Sequence, residues 1–148
     1  MTKTLKFLLV ILIFSACMGT TQNSGDPVVY AEENDPELEQ ARQDALANLD
    51  DFLSLFEKYK TDTTKQFSIK TDFVENGEHE HMWVSVVESD SSHFRGYLGN
   101  DPQIVSNVSY GDWISVEHKD IEDWIIYHTL NDSMQGGYSV KVFQSREQ

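Results

Sequence analysis

Asn76-Gly77 lies between two stretches in which inward and outward residues alternate, and this leaves the middle of the chain little conformational freedom. Before it, Phe67, Ile69, Thr71 and Phe73 alternate with Ser68, Lys70 and Asp72. After it, Met82, Val84 and Val86 alternate with Trp83, Ser85 and Val87. A period of two puts each set on one face of an extended strand. Asn-Gly readily adopts the two left-handed conformations that a tight hairpin turn needs. The spacing predicts two antiparallel strands joined there. Ser89-Asp90-Ser91-Ser92 turns the chain again, and Phe94, Gly96 and Leu98 mark a third strand. Residues 103–110 read as a connection, and Gly111-Asp112 as a turn before Ile114 and Val116. Residues 120–127, with Ile121, Trp124 and Ile125, suit either a strand or one helical turn. Asn131-Asp132-Ser133 and Gly136-Gly137 bracket a loop, after which Tyr138, Val140 and Val142 read as a last strand.

Upstream of the hairpin the period is three to four. Leu38, Ala41, Ala45, Leu49, Phe52, Phe56 and Tyr59 form one apolar stripe. Asn34 or Asp35 can cap it, Pro36 suits the first turn, and Glu37 and Glu39 complement the positive end of the helix dipole. One long amphipathic helix over residues 36–60 is predicted. The stripe also follows a heptad over much of its length, but Phe52 and Phe56 near one end favour docking on a sheet. One helix on five or six mainly antiparallel strands gives an α+β domain over residues 35–148, with the sheet open or curled into a small barrel.

The N-terminus carries a different signal. Lys3 and Lys6 precede an apolar run from Phe7 to Phe14, and Ser15-Ala16-Cys17 follows. The run is too short to span a bilayer, which takes roughly 20 residues, and its layout is that of a secretory signal peptide. Phe14-Ser15-Ala16-Cys17 looks like a bacterial lipobox, with Phe14 where leucine is usual. Residues 1–17 are thus expected to be a signal ending in the lipidated Cys17, the alternative being an ordinary signal peptide cut near there with Cys17 incidental, and residues 18–34, polar with Gly19, Gly25 and Pro27, a flexible tether. Val28-Val29-Tyr30 could pair as a short strand. The expected location is the bacterial cell envelope, lipid-anchored and facing the periplasm or the cell exterior. Cys17 is the single cysteine, so no internal disulfide can form. A formal net charge of -14 argues against nucleic acid as a partner and against charge-driven adsorption to an anionic membrane.

Five motifs together resemble the YegJ-like bacterial domain of unknown function. They are Glu80-His81-Met82-Trp83-Val84, the run of Gly96, Leu98, Asn100 and Pro102, Gly111-Asp112, Ile121 with Asp123-Trp124, and Gly136-Gly137-Tyr138. The resemblance covers roughly residues 35–143, with Ser139 and Lys141 where that family more often has threonine and arginine. It implies a fold family and an exported or envelope-associated setting, and it transfers no activity.

Three constellations invite chemistry. His79 and His81 share a strand face, so both could reach one metal, with a third ligand from His93, His118, His128 or Asp123. The alternative is a solvated hairpin end. Trp83, Trp113 and Trp124 beside Asp112 and Asp123 could stack and hydrogen-bond a carbohydrate or peptidoglycan fragment, although tryptophans serve more often in packing. Glu80 with Asp123 could form a hydrolytic carboxylate pair, but 25 acidic residues make chance pairs plentiful. A Gly-x-Ser-x-Gly elbow and a Walker-type phosphate loop are both missing from the sequence, and no cofactor is implied. The expectation is a non-enzymatic envelope lipoprotein that binds an unknown envelope protein or cell-wall ligand near Glu80, His81, Trp83, Asn100, Asp112, Asp123 and Trp124. A metal-dependent hydrolase and a purely structural envelope protein are the alternatives.

Overall fold

A computed structural model describes residues 34–147. The N-terminal expectations, lipidated Cys17 and the strand at Val28-Val29-Tyr30 among them, lie outside the described residues. The domain opens where the sequence marks it. Asp35 Oδ1 accepts hydrogen bonds from the Glu37 and Leu38 backbone N–H groups at 3.0 and 3.4 Å, and Pro36 begins α1 (Pro36–Ala47).

The stripe does not run through a single helix. Asn48 leaves helical geometry (φ -108°, ψ 16°) and a second helix, α2 (Leu49–Tyr59), starts beyond it. The expected long helix is therefore two shorter ones. Asparagine competes for backbone hydrogen bonds and favours helix ends over interiors. The break lets each helix bury its own face, α1 through Ala41 and Ala45 and α2 through Phe52 and Phe56. Both pack within the domain.

Six strands follow: β1 (Lys65–Glu75), β2 (Glu78–Ser89), β3 (His93–Leu98), β4 (Trp113–Glu117), β5 (Ile121–His128) and β6 (Ser133–Gly136). The β1–β2 turn has positive φ at both Asn76 (52°) and Gly77 (87°), as the sequence requires. The sheet order is β4-β3-β2-β1-β5-β6, and every neighbouring pair is antiparallel. Residues 120–127 thus belong mostly to a strand, and part of the expected loop at 131–137 is a strand as well. The expected last strand is a helix, α3 (Tyr138–Arg146), entered through Gly136 (φ 74°) and Gly137 (φ 65°).

The sheet stays open but is strongly curled. Across a flat sheet β4 and β5 would lie four strand spacings apart, about 19 Å. Only a 3-10 turn, His118–Asp120, joins them, and the four Cα steps from Glu117 to Ile121 reach about 14 Å at most. The edges must bend towards each other over one face. On that concave side the His118 ring lies 4.2 Å from the ring of Phe94, and Thr71 Oγ1 donates to the Asp120 carbonyl at 3.0 Å. The core fills the same face. Phe52 stacks on Phe56 and meets Phe67, Phe94 and Trp124 at ring distances of 5.4–5.8 Å. Burying each such ring contributes roughly 2–3 kcal/mol.

α3 lies beside α1 and β5. Arg146 near its end pairs with Asp35 at 2.7 Å and with Glu37, closing the domain where the N-terminal segment enters. This bond holds the Asp35 carboxyl down at about 2. No helix among the described residues is long and apolar enough to cross a membrane.

Candidate groove and the placement of the motif residues

The motif residues are mostly turned inward. Glu80 is 8% exposed, and its carboxylate accepts from the backbone N–H groups of Gln103, Ile104 and Val105 at 2.8–3.0 Å. Burial alone would raise its pKa, but the three donors outweigh it and hold the group below its ordinary value. Glu80 thus pins the β3–β4 connection and seats Val105 in the core. Asn100 Oδ1 accepts from the Trp83 N–H at 2.7 Å, and Asp112 Oδ2 from the Ser109 N–H at 2.9 Å.

Asp123 is fully buried and serves α3. Its Oδ1 accepts from the backbone N–H groups of Trp124 and Tyr138, and its Oδ2 from the N–H and hydroxyl of Ser139, all within 3.0 Å. The Trp124 indole N–H donates to the Ala45 carbonyl at 2.9 Å. Two glycines are steric necessities. A Cβ on Gly96 would stand 1.8 Å from the Ser85 carbonyl oxygen, and one on Gly136 2.1 Å from that of Trp124. The seven residues expected to share one surface are therefore dispersed. Glu80, Asp123 and Trp124 are interior, Asn100 and Asp112 fix backbone, and only His81 and Trp83 remain on the convex face. Glu80 and Asp123 are each enclosed by their own donors.

His79 and His81 share the convex face, as the alternation requires. Each already has a carboxylate partner: His79 Nδ1 lies 2.6 Å from Asp72 and His81 Nδ1 2.8 Å from Glu122. Glu122 raises the pKa of His81 against a smaller opposing effect of burial. Among the described residues, no three His, Cys, Asp or Glu side chains are placed to hold a metal ion. Next to this row Lys70 is half-buried, its ammonium 5.8 Å above the Phe143 ring. Burial pushes its pKa down, and Glu122 and Asp123 oppose that shift. The convex face also exposes Tyr97 and Trp113, whose rings meet edge-on at 5.0 Å.

A concavity lies elsewhere. A groove of about 930 Å³ runs between β4 on one bank and the start of α1 with the β5 entry on the other. Phe73, Ile114 and Val116 give it an apolar floor. Glu39, Asp72, Glu117, Asp120 and Glu122 line it with carboxylates, against Arg42 and His93 as basic groups. Asp72, Glu122 and Glu117 are already paired with His79, His81 and Lys119, which leaves Glu39 and Asp120 as the carboxylates without an ion-pair partner among the described residues. Reading along the chain misses it because α1, β1, β4 and β5 each contribute only a residue or a short run. The one available clue was the excess of acidic residues.

Residues 35–147 match the family described as "Uncharacterized protein conserved in bacteria (DUF2314)". The chain is 31% identical over 133 residues to the Uncharacterized protein YegJ of Escherichia coli (strain K12), covering 90% of this chain and 83% of that one. It is 27% identical over 130 residues to the Putative ankyrin repeat protein NMB1133/NMB1171 of Neisseria meningitidis serogroup B. That overlap covers 82% of this chain and 51% of the relative, so the chain spans about half the relative's length. No solved structure matches the chain.

Proposed function

The chain belongs to the DUF2314 family, and from that premise we propose that it is an exported, lipid-anchored domain that binds a partner in the bacterial envelope through the groove beside β4. The binding surface is thereby moved from the motif residues to the groove. The groove itself carries the reading: Phe73 and Ile114, partly exposed above the buried Val116, lie inside a carboxylate-rich rim. A concave surface that combines partly exposed apolar side chains with charged groups is the general setting of a binding site. Glu80, Asn100, Asp112 and Asp123 are already engaged with backbone N–H groups, so a partner has little there to recognise. A similar domain forms about half of a putative ankyrin repeat protein, and repeats of that kind present extended binding surfaces, which supports a protein partner.

The anchoring half rests on Lys3, Lys6, the apolar run and Cys17. It is tested by labelling growing cells with a tagged fatty acid and comparing the chain with Cys17→Ser. Labelling and membrane association that both vanish in the variant support the anchor, and labelling that persists contradicts it. The binding half is tested by placing a photo-crosslinking residue at Phe73 on the groove floor and, separately, at Tyr97 on the convex face. A discrete adduct from position 73 alone is expected. An adduct from position 97 alone would move the site to the aromatic face.

A further inference from the structure

We propose that β4 is a docking strand and that its partner is an extended basic peptide segment, added antiparallel or parallel along its outer edge. This rests on the groove reading and names the class of occupant.

Three observations converge. First, β4 is the outermost strand of the sheet and, among the described residues, pairs only with β3, in unbroken register from Trp113↔Tyr97 to Glu117↔His93. Among the described residues its other edge presents backbone N–H and C=O groups without strand partners. Edge strands are blunted by shortness, charged side chains, proline or a bulge. Trp113-Ile114-Ser115-Val116-Glu117 is short and ends in Glu117, but it has no lysine, proline or bulge along the stretch that faces the groove. Second, four of these five residues, Ile114 to Glu117, also line the groove. A strand laid along them would span about 14 Å and send alternate side chains towards the apolar floor, the mode by which sheet edges take peptides. Third, the charge is predominantly negative. Glu39 and Asp120 on the far bank, with Arg42 as the basic group beside them, meet a segment lying along β4, while Glu117 is already paired with Lys119 at 2.8 Å. A segment of alternating apolar and Lys or Arg residues satisfies edge, floor and rim together. A second copy of this chain fits less well, since each copy carries a net charge of -14 and would bring carboxylates against carboxylates.

The test uses the full chain purified in detergent. The probes are a nine-residue peptide of alternating valine and lysine, its valine–glutamate counterpart, and a valine–lysine version N-methylated at alternate backbone nitrogens on one edge and, separately, on the other. Calorimetry should show binding of the basic peptide, weakening about tenfold between low and physiological salt. Amide exchange of residues 114–117 should slow in the complex. One of the two N-methylated peptides should lose at least tenfold in affinity, because one edge must pair. Glu39→Lys with Asp120→Lys should weaken the basic peptide by a similar factor.

Equal binding of both N-methylated peptides would reduce the effect to adsorption and overturn strand addition. Equal binding of the acidic peptide would overturn the charge argument. Self-association that slows exchange of 114–117 without peptide would assign the edge to a second copy instead. Failure of every peptide alongside a crosslink at Phe73 in cells would sink this inference and leave the groove reading standing. Failure of both would sink both.

Discussion

The indole N–H of Trp124 on β5 donates to the backbone carbonyl of Ala45 in α1 across 2.9 Å, joining sheet to helix at a buried point. Ala45 lies in the last turn of α1, where carbonyls have no partner within the helix. The bond thus caps α1 from outside, just before the break at Asn48. Trp124→Phe keeps a ring against Phe52 but leaves that carbonyl without its donor. It should cost about 1–3 kcal/mol in equilibrium unfolding. Trp124→Ala also removes the ring and should cost roughly 3–5 kcal/mol.

Gly136 and Gly77 form a matched pair. Both have positive φ, yet a Cβ on Gly77 meets open space while one on Gly136 strikes Trp124. Gly77→Ala should cost only the backbone preference, about 1 kcal/mol. Gly136→Ala adds a steric conflict with main chain and should cost more than roughly 3 kcal/mol. Thermal unfolding of the two variants side by side checks the difference.

The Glu80 carboxylate should act as a pin for residues 103–105. Glu80→Gln keeps one good acceptor and should speed amide exchange there, with a stability loss of about 1–2 kcal/mol. The pH response has a fixed sign. The folded pKa lies below the unfolded one, so this contribution is present above the ordinary carboxylate range and fades as pH falls through the folded value. Exchange at 103–105 measured down an acid series should accelerate in the native chain and show a flatter response in Glu80→Gln.

Two histidines should pull stability in opposite directions near neutrality. The folded pKa of His81 lies above its ordinary 6.5 because of Glu122, so its contribution is complete below that value and is lost as pH rises through the folded pKa. His118 is held below 6.5 mainly by burial against Phe94, with Nε2 buried and without a partner. It therefore costs stability as pH falls through 6.5 towards its folded value. Glu122→Gln should remove the loss on the alkaline side, and His118→Gln should flatten the loss on the acid side. Denaturant midpoints across that range separate the two.

The hairpin, the third strand and the helix start were legible because their signals are local: alternation, Asn76-Gly77, Asp35 and Pro36. α3 was not, because its stabiliser is remote. Gly137 at its start has no side chain to cap it, and Asp123 on β5 takes that role. Val140 and Val142 then imitate a period of two by chance. The curl of the sheet was hidden for a similar reason. It follows from a three-residue link between strands four places apart, and strand order cannot be read from spacing. The motif residues were found, but a buried carboxylate bonded to N–H groups looks identical in sequence to one in a cleft.

Equilibrium unfolding of the Asp123→Ala chain is the most direct test that the motif residues fasten the fold and leave recognition to the groove. Four donors, those of Trp124, Tyr138 and Ser139, would lose their acceptor in the interior. The account predicts a loss of about 2–4 kcal/mol. Unchanged stability would contradict it and return Asp123 to the candidates for a working site.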